Sequence, residues 1–256
     1  MSLRRDFSPF ADRFGWPRLA GRHPLAIGHR GASGHATENT LAAFARASAL
    51  GAEMWELDTQ LSRDGVCMVS HDDHLLRVFG IDARISELTA DAIQSLPGAA
   101  VPRFEEVAAL AREVGAGLYV ELKAAGTGRL AWDELARHGQ RFAALGSFNT
   151  AFVRELRDAY CPYPLSVLVR VGADPHAAGD TCGADMLHLC WESAGARPQD
   201  LVTEDLLARA FAANREIVLW HEERPPIIAD LLELPVLGIC SDRPDLLKPK
   251  SPAIGG

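Results

Sequence analysis

Several features are missing from this chain, and each absence closes a door. No apolar run approaches the ~20 residues that a membrane span needs. The opening stretch, 1–23, mixes arginines with Phe7, Phe10, Phe14 and Trp16 and has no continuous hydrophobic segment of the secretory kind. The five cysteines are odd in number and include no C-x-x-C pair, so neither a disulfide framework nor a zinc knot is suggested. Cys67, Cys190 and Cys240 lie in strand-like runs and read as reduced core thiols. A net charge of −8 argues against bulk nucleic-acid binding but leaves room for a local positive pocket. No internal repeat or low-complexity tract stands out. What remains by default is a cytoplasmic enzyme with a small-molecule substrate and no stable membrane insertion; an oligomer is left open.

The positive signal is alternation. With 256 residues, 48% of them apolar, the chain suits one large domain, and ~250 residues is the usual size of a single α/β barrel. From residue 24 onward, strand-like runs at 24–29, 53–58, 117–123, 141–148, 164–170, 184–191, 215–221 and 236–241 alternate with helix-like runs at 39–50, 103–114, 130–138, 149–160, 203–213 and 225–234. The segments at 173–183 and 245–247 are weaker. Eight strands alternating with helices predict an α/β fold with a parallel sheet, closed as a (β/α)8 TIM barrel. An open doubly wound sheet is the alternative, disfavoured because no glycine-rich dinucleotide fingerprint follows the first strand. The barrel domain is placed at 24–250. Residues 1–23 form an N-terminal arm, packed on the barrel bottom or on a neighbouring subunit; a basic-aromatic membrane-surface contact is the sharper alternative. The second strand is followed by a long insertion, about 59–102, with a short strand at 66–70 and a helical piece at 89–96. Long insertions at a catalytic face usually serve the site. Asn39 is a plausible N-cap for the first helix, and Gly126-Thr127-Gly128 reads as a solvent loop.

Strand geometry assembles a site. Side chains two apart share a face, so Glu56 and Asp58 point together while Trp55 and Leu57 point oppositely. If Trp55 and Leu57 meet the helix layer, the two carboxylates turn into the barrel. The same logic pairs Glu121 with Lys123. Three carboxylates converging from neighbouring strands repel unless a cation sits among them. All-oxygen ligands suit one divalent cation, Mg²⁺ or Ca²⁺, rather than zinc. The bland alternative is that each carboxylate makes an ordinary ion pair.

The stretch 25–72 carries a resemblance. His29-Arg30-Gly31, Glu38-Asn39-Thr40, Glu56-Leu57-Asp58, Arg63-Asp64-Gly65 and His71-Asp72 stand in the order, and close to the spacing, of the glycerophosphodiester phosphodiesterase family, in the manner of a bacterial-type single-domain member. The resemblance continues more faintly over 24–247 and implies a TIM barrel whose insertion forms a small cap. It implies that His29 and His71 act as an acid/base pair, that Glu56, Asp58 and Glu121 hold the metal, and that Arg30 and Lys123 supply positive charge to a phosphodiester. It also implies that the glycerol 2-hydroxyl attacks phosphorus and that water opens the resulting cyclic phosphate. Phe148 and Trp220 resemble residues bordering the substrate, although core packing explains either equally. His188 is placed at the mouth by strand alternation. Glu38 is either an extra ligand or orienter, or a carboxylate stabilising the next helix N-terminus. Ser241-Asp242-Arg243-Pro244 resembles the family's closing motif and reads as a structural turn.

The expected reaction is metal-dependent hydrolysis of a glycerophosphodiester to glycerol 3-phosphate and an alcohol. A barrel lyase that stops at the cyclic phosphate and a binding-only barrel are the alternatives. One departure from the family's pattern is Trp220-His221-Glu222-Glu223, where relatives carry Trp-Thr-Val-Asn. Alternation puts Trp220 and Glu222 on one face and His221 and Glu223 on the other; the bland reading is a solvent-facing end where Glu223 pairs with Arg224, the sharper one an acidic rim favouring cationic head groups.

Overall fold

The computed structural model describes residues 5–17, 19 and 24–247. It begins with a short helix, α1 (Ser8–Phe14). The first barrel strand β1 (Leu25–Gly28), helix α2 (Leu41–Ala49) and strand β2 (Met54–Leu61) follow. The insertion contributes strand β3 (Cys67–Val69) and helices α3 (Leu76–Phe79) and α4 (Ala90–Gln94). The regular alternation then runs α5 (Phe104–Val114), β4 (Gly117–Leu122), α6 (Thr127–Arg137), β5 (Ala143–Ser147), α7 (Thr150–Asp158), β6 (Leu165–Arg170) and α8 (Pro175–Cys182). It closes with β7 (Met186–Cys190), α9 (Glu204–Ala212), β8 (Glu216–His221), α10 (Pro225–Leu231) and β9 (Gly238–Ser241).

Eight strands, all but β3, form a closed parallel ring, because β1 pairs with both β2 and β9. This is the (β/α)8 barrel. β3 lies outside the ring, antiparallel to β2, and the pairing carries β2 three residues beyond its expected end. The Arg63-Asp64-Gly65 turn joins them, with Gly65 at φ +80° and Ser62 Oγ donating to Asp64 Oδ1 at 2.6 Å. The insertion has its own apolar cluster, centred on Met68, Leu75, Ile85 and Ile93.

Barrel strands bury both faces, so their sequences are continuously apolar except where chemistry interrupts. Trp55 and Leu57 join the layer between sheet and helices, as alternation requires, and Trp55 stacks on Phe44 of α2. The opposite face of β2 turns Glu56 and Asp58 into the barrel. At the strand starts the interior is apolar: Ile27, Met54, Tyr119, Met186 and Val218 pack with Phe7, Phe10 and Trp16 of the N-terminal segment. Arg5 pairs with Glu216 and Arg13 with Asp185, and Trp16 Nε1 donates to Ala143 O at 3.2 Å. Of the aromatic side chains in the membrane-contact reading, Phe7, Phe10 and Trp16 are thus buried against the barrel bottom, with Phe14 partly buried beside them. Arg4, Arg18 and Arg22 of the arm, and residues 248–250 of the expected domain, lie outside the described residues.

Two local expectations are corrected. The N-cap of α2 is Thr40, whose Oγ1 accepts from Ala43 N at 3.2 Å; Asn39 sits at φ +57° and turns its side chain elsewhere. The Gly126-Thr127-Gly128 segment is no solvent loop but the start of α6, with Gly126 as the exposed N-cap and Thr127 and Gly128 buried in the first turn. A Cβ on Gly128 would lie 3.0 Å from Leu122 Cδ1, so glycine there permits close packing of helix on strand. The weak segment at 173–183 is a genuine helix, α8, capped by Asp174. The five cysteines are all free, and among the described residues no helix is long and apolar enough to cross a membrane.

Candidate active site

The site lies at the C-terminal ends of the strands, where barrels place their chemistry. A cavity of about 200 Å³ opens there. Its walls include His29, His71, Arg30 and Lys123, together with Glu56 and Glu121.

The carboxylate cluster follows from register. β2 and β4 pair with Asp58 opposite Glu121 and Glu56 opposite Tyr119, so the three carboxylates stand on adjacent strands facing inward. Their ligand atoms lie within 4.8 Å of one another, all buried. Lys123 Nζ sits 2.7 Å from Glu121 Oε1 and 3.2 Å from Asp58 Oδ1, and Arg30 Nε is 3.3 Å from Asp58 Oδ2. Burial alone would raise Asp58, but Lys123 and Arg30 hold it down, at about 2. For the other two, burial and carboxylate repulsion outweigh the nearby cations. Burial, then the charges of Asp58 and Glu121, push Glu56 well above the usual carboxylate range. Burial and the charge of Asp58 push Glu121 up to about 7, with Lys123 opposing.

This cluster fits a divalent cation. Its donors are all hard oxygens, they converge within 4.8 Å, and burial with mutual repulsion raises two of its three carboxylates, a penalty that a cation among them would relieve. A second group, His29, His221 and Asp242, also has its donor atoms within 4.8 Å, but it does not fit. The His29 and His221 rings are stacked 3° from parallel with centroids 4.5 Å apart. A metal in the plane of one ring's lone pair would therefore lie out of the plane of the other's.

Both candidate acid/base histidines are oriented by aspartates. His29 Nδ1 is 2.6 Å from Asp242 Oδ1, which leaves Nε2 facing the cluster, 3.9 Å from Glu56 Oε2. His71 Nδ1 is 2.7 Å from Asp72 Oδ1. Burial lowers the His29 imidazole, outweighing its hydrogen bond to Asp242. Asp242 is held down to about 2, the pull of His29 overcoming burial.

Arg30 adopts φ +52°, a strained backbone state for a residue with a side chain, of the kind that clusters at functional sites. Its N–H donates to Glu56 Oε2 at 2.9 Å, and its Nη1 to Glu38 Oε1 at 2.9 Å. Glu38 also takes two hydrogen bonds from Arg77 of the insertion. It thus orients Arg30 and ties the insertion to the barrel; it stands outside the metal-type cluster. Asn39 Nδ2 donates to Asp58 Oδ2 at 2.9 Å.

Of the remaining expected residues, Phe148, Trp220 and His188 all line the cavity. Phe148 lies beneath Arg170, 4.1 Å from guanidinium to ring centre. His188 is buried, with Nδ1 3.1 Å from Tyr119 Oη, and burial pushes it down to about 3, so it is a neutral wall. The acidic rim is not formed. Arg224 folds back onto Glu222, which also accepts Trp220 Nε1 at 3.3 Å, while Glu223 Oε1 accepts Asp242 N at 2.8 Å. The reason is a bulge: β8–β9 pairing slips between Leu219 and His221, so the consecutive Trp220 and His221 both face the cavity.

Sequence reasoning missed Asn39, Asp242 and His221 as site residues. Asp242 carried a usable signal, a carboxylate at a strand end. His221 stood in the departure Trp220-His221-Glu222-Glu223, but period-two alternation, which breaks at the bulge, could not put it beside Trp220 at the cavity.

Fold and site define a (β/α)8 barrel with two aspartate-bound imidazoles and a buried three-carboxylate cluster at its mouth. The chain belongs to the glycerophosphoryl diester phosphodiesterase family, whose model matches residues 29–246. It is 31% identical over 159 residues to YhdW of Bacillus subtilis, whose name describes a candidate glycerophosphodiester phosphodiesterase; the match covers 56% of this chain and 65% of YhdW. It is 45% identical over 71 residues to human lysophospholipase D GDPD1, a match covering 28% of this chain and 22% of that protein. The chain thus matches less than two thirds of the length of these relatives. Among solved structures, the phosphodiesterase of Oleispira antarctica, in complex with its product sn-glycerol-3-phosphate, superposes with a TM-score of 0.74 at 21% identity, over 88% of this chain and 95% of that one. At that identity the resemblance is one of fold.

Proposed function

We propose that this protein hydrolyses glycerophosphodiesters to glycerol 3-phosphate and an alcohol. The observation that carries the reading is the meeting, around one cavity, of two aspartate-oriented imidazoles and a buried three-carboxylate cluster. Phosphodiester cleavage needs a proton removed from the nucleophile, another delivered to the leaving alkoxide, and charge neutralised on the non-bridging oxygens. His29 and His71 each commit Nδ1 to an aspartate, which leaves Nε2 for the reacting oxygens; one accepts a proton and the other donates. Arg30 and Lys123 attract the phosphate, and the Glu38 and Asp58 contacts keep the Arg30 guanidinium in place. Glu56, Asp58 and Glu121 would hold one Mg²⁺ or Ca²⁺, which when bound supplies Lewis-acid charge neutralisation at the phosphoryl group. Phe148 and Trp220 border the organic part of the substrate.

The test is a panel of glycerophosphodiesters assayed with Mg²⁺, with Ca²⁺ and with chelator, in the wild type and in His29→Ala and His71→Ala. Acid/base groups contribute ~10²–10⁴-fold each, so both variants should lose kcat by that order while KM changes little. Turnover by a folded His→Ala variant at the wild-type rate, or full activity of verified metal-free protein, would sink the reading. Release of glycerol 3-phosphate rather than a cyclic phosphate separates a hydrolase from a lyase.

A further inference from the structure

We infer that His221 is a positioning residue for His29, a role that rests on the acid/base reading of His29. The His29 side chain is fixed at one ring atom by one hydrogen bond, Nδ1 to Asp242 Oδ1 at 2.6 Å. A single hydrogen bond leaves an imidazole free to rock about the bonded atom. The His221 ring removes that freedom. It lies face to face with His29, centroids 4.5 Å apart and planes 3° from parallel. A flat surface in that position opposes motion out of the ring plane. It also leaves the in-plane Nε2 open toward Glu56 and the cavity.

The end of β8 is shaped for this. Register between β8 and β9 passes from Leu219–Ile239 directly to His221–Cys240. The extra residue re-aims the strand end, as bulges beside active sites do, and brings His221 to the mouth. Two residues further on, Glu223 Oε1 accepts the backbone N–H of Asp242 at 2.8 Å. Ser33 Oγ donates to Asp242 Oδ1 at 2.7 Å, so the carboxylate is itself braced. One strand end therefore steadies His29 twice: directly through a stacked ring, and indirectly through the residue that holds Nδ1. In this arrangement His221 exchanges no proton and grips no substrate.

The experiment compares kcat and KM for glycerophosphocholine with Mg²⁺ in the wild type, His221→Ala and His221→Phe. Misplacing an acid/base group costs rate rather than binding, so His221→Ala should lower kcat about tenfold with KM nearly unchanged. His221→Phe retains the flat surface and should recover most of the loss. An alanine variant with wild-type kcat overturns the inference. So does a raised KM at unchanged kcat, which marks a substrate contact, and so does a phenylalanine variant as slow as alanine, which assigns the effect to the imidazole nitrogens. A second readout is independent of turnover. In ¹³C-histidine-labelled protein, the His29 Cε1–H signal, assigned with His29→Gln, should move in His221→Ala as the ring current is lost and return toward its place in His221→Phe. A His29 signal indifferent to both variants overturns the stacked support. If the signal responds as expected while the wild type turns over no glycerophosphodiester, the support of His29 stands and the hydrolase reading falls.

Discussion

Asp242 and His29 lie 213 residues apart in the chain, yet their side chains meet at 2.6 Å. The contact joins the ends of the first and last barrel strands, β1 and β9, which close the ring. It decides which nitrogen of His29 faces the cavity, because a carboxylate at Nδ1 keeps the proton there and leaves Nε2 as the working atom.

Asp242→Asn tests that relationship. An amide can offer its NH₂ to Nδ1 and so favour the wrong tautomer. The expected result is a loss of kcat on the order of 10²-fold, since small errors in catalytic geometry are that costly, with the fold intact by circular dichroism. Asp242 also titrates at about 2, below the ordinary aspartate value. Its pairing therefore stabilises the fold fully above the unfolded value and loses that contribution as pH falls toward 2. In acid unfolding, the stability difference between wild type and Asp242→Asn should shrink over that window.

Glu121 titrates in the opposite sense. Its folded value of about 7 lies above the ordinary 4.5. Between the two, the metal-free folded chain holds a proton that the unfolded chain has released, so stability from this group falls as pH rises. A bound divalent cation displaces that proton. Melting curves at about pH 6 and about pH 8, with chelator and with Mg²⁺ or Ca²⁺, should show a metal-induced rise in Tm that is larger at the higher pH. Glu121→Gln should flatten the difference.

The mouth has an unpaired carboxylate, though not where alternation along β8 puts it. Glu222 and Glu223 are engaged internally, whereas Glu192 lines the cavity with Oε2 buried and without a hydrogen-bond partner. The ratio of kcat/KM for glycerophosphoethanolamine against glycerophosphoinositol should be unchanged in Glu223→Gln. In Glu192→Gln the ratio should fall several-fold, because an ammonium loses its counter-charge.

Gly31 is the third residue of the His-Arg-Gly run, and its reason is backbone. It adopts φ +85°, and a Cβ there would lie 2.7 Å from the carbonyl carbon of Ala43 in α2. Gly31→Ala should cost about 1–3 kcal/mol in urea unfolding and should reduce activity further by displacing Arg30.

Much of the fold was legible because, outside the insertion at 59–102, the chain alternates apolar strands with amphipathic helices. Glu56, Asp58 and Glu121 were legible because strand alternation separates them cleanly from Trp55 and Leu57. Legibility failed where a local rule was overridden by packing. Gly126-Thr127-Gly128 has loop composition, but close approach to Leu122 and Leu156 makes it the start of a helix. The Ala/Gly-rich 173–183 looks featureless, yet Asp174 caps it. Asn39 has the chemistry of a cap and the geometry of something else, since the Arg30 carbonyl takes its N–H and Asp58 takes its side chain. The turn of β8 that delivers His221 depends on one slipped pairing, which no period in the sequence records.

The helix that floors the barrel has a consequence for how the chain is assembled. Arg5 meets Glu216 across 211 residues, Arg13 meets Asp185 across 172, and Trp16 reaches Ala143 across 127. Contacts that distant in sequence carry a loop-closure cost until the intervening chain is ordered. The segment ahead of β1 therefore has no complete seat until β8 has been made, and it seals the end of the barrel opposite the chemistry.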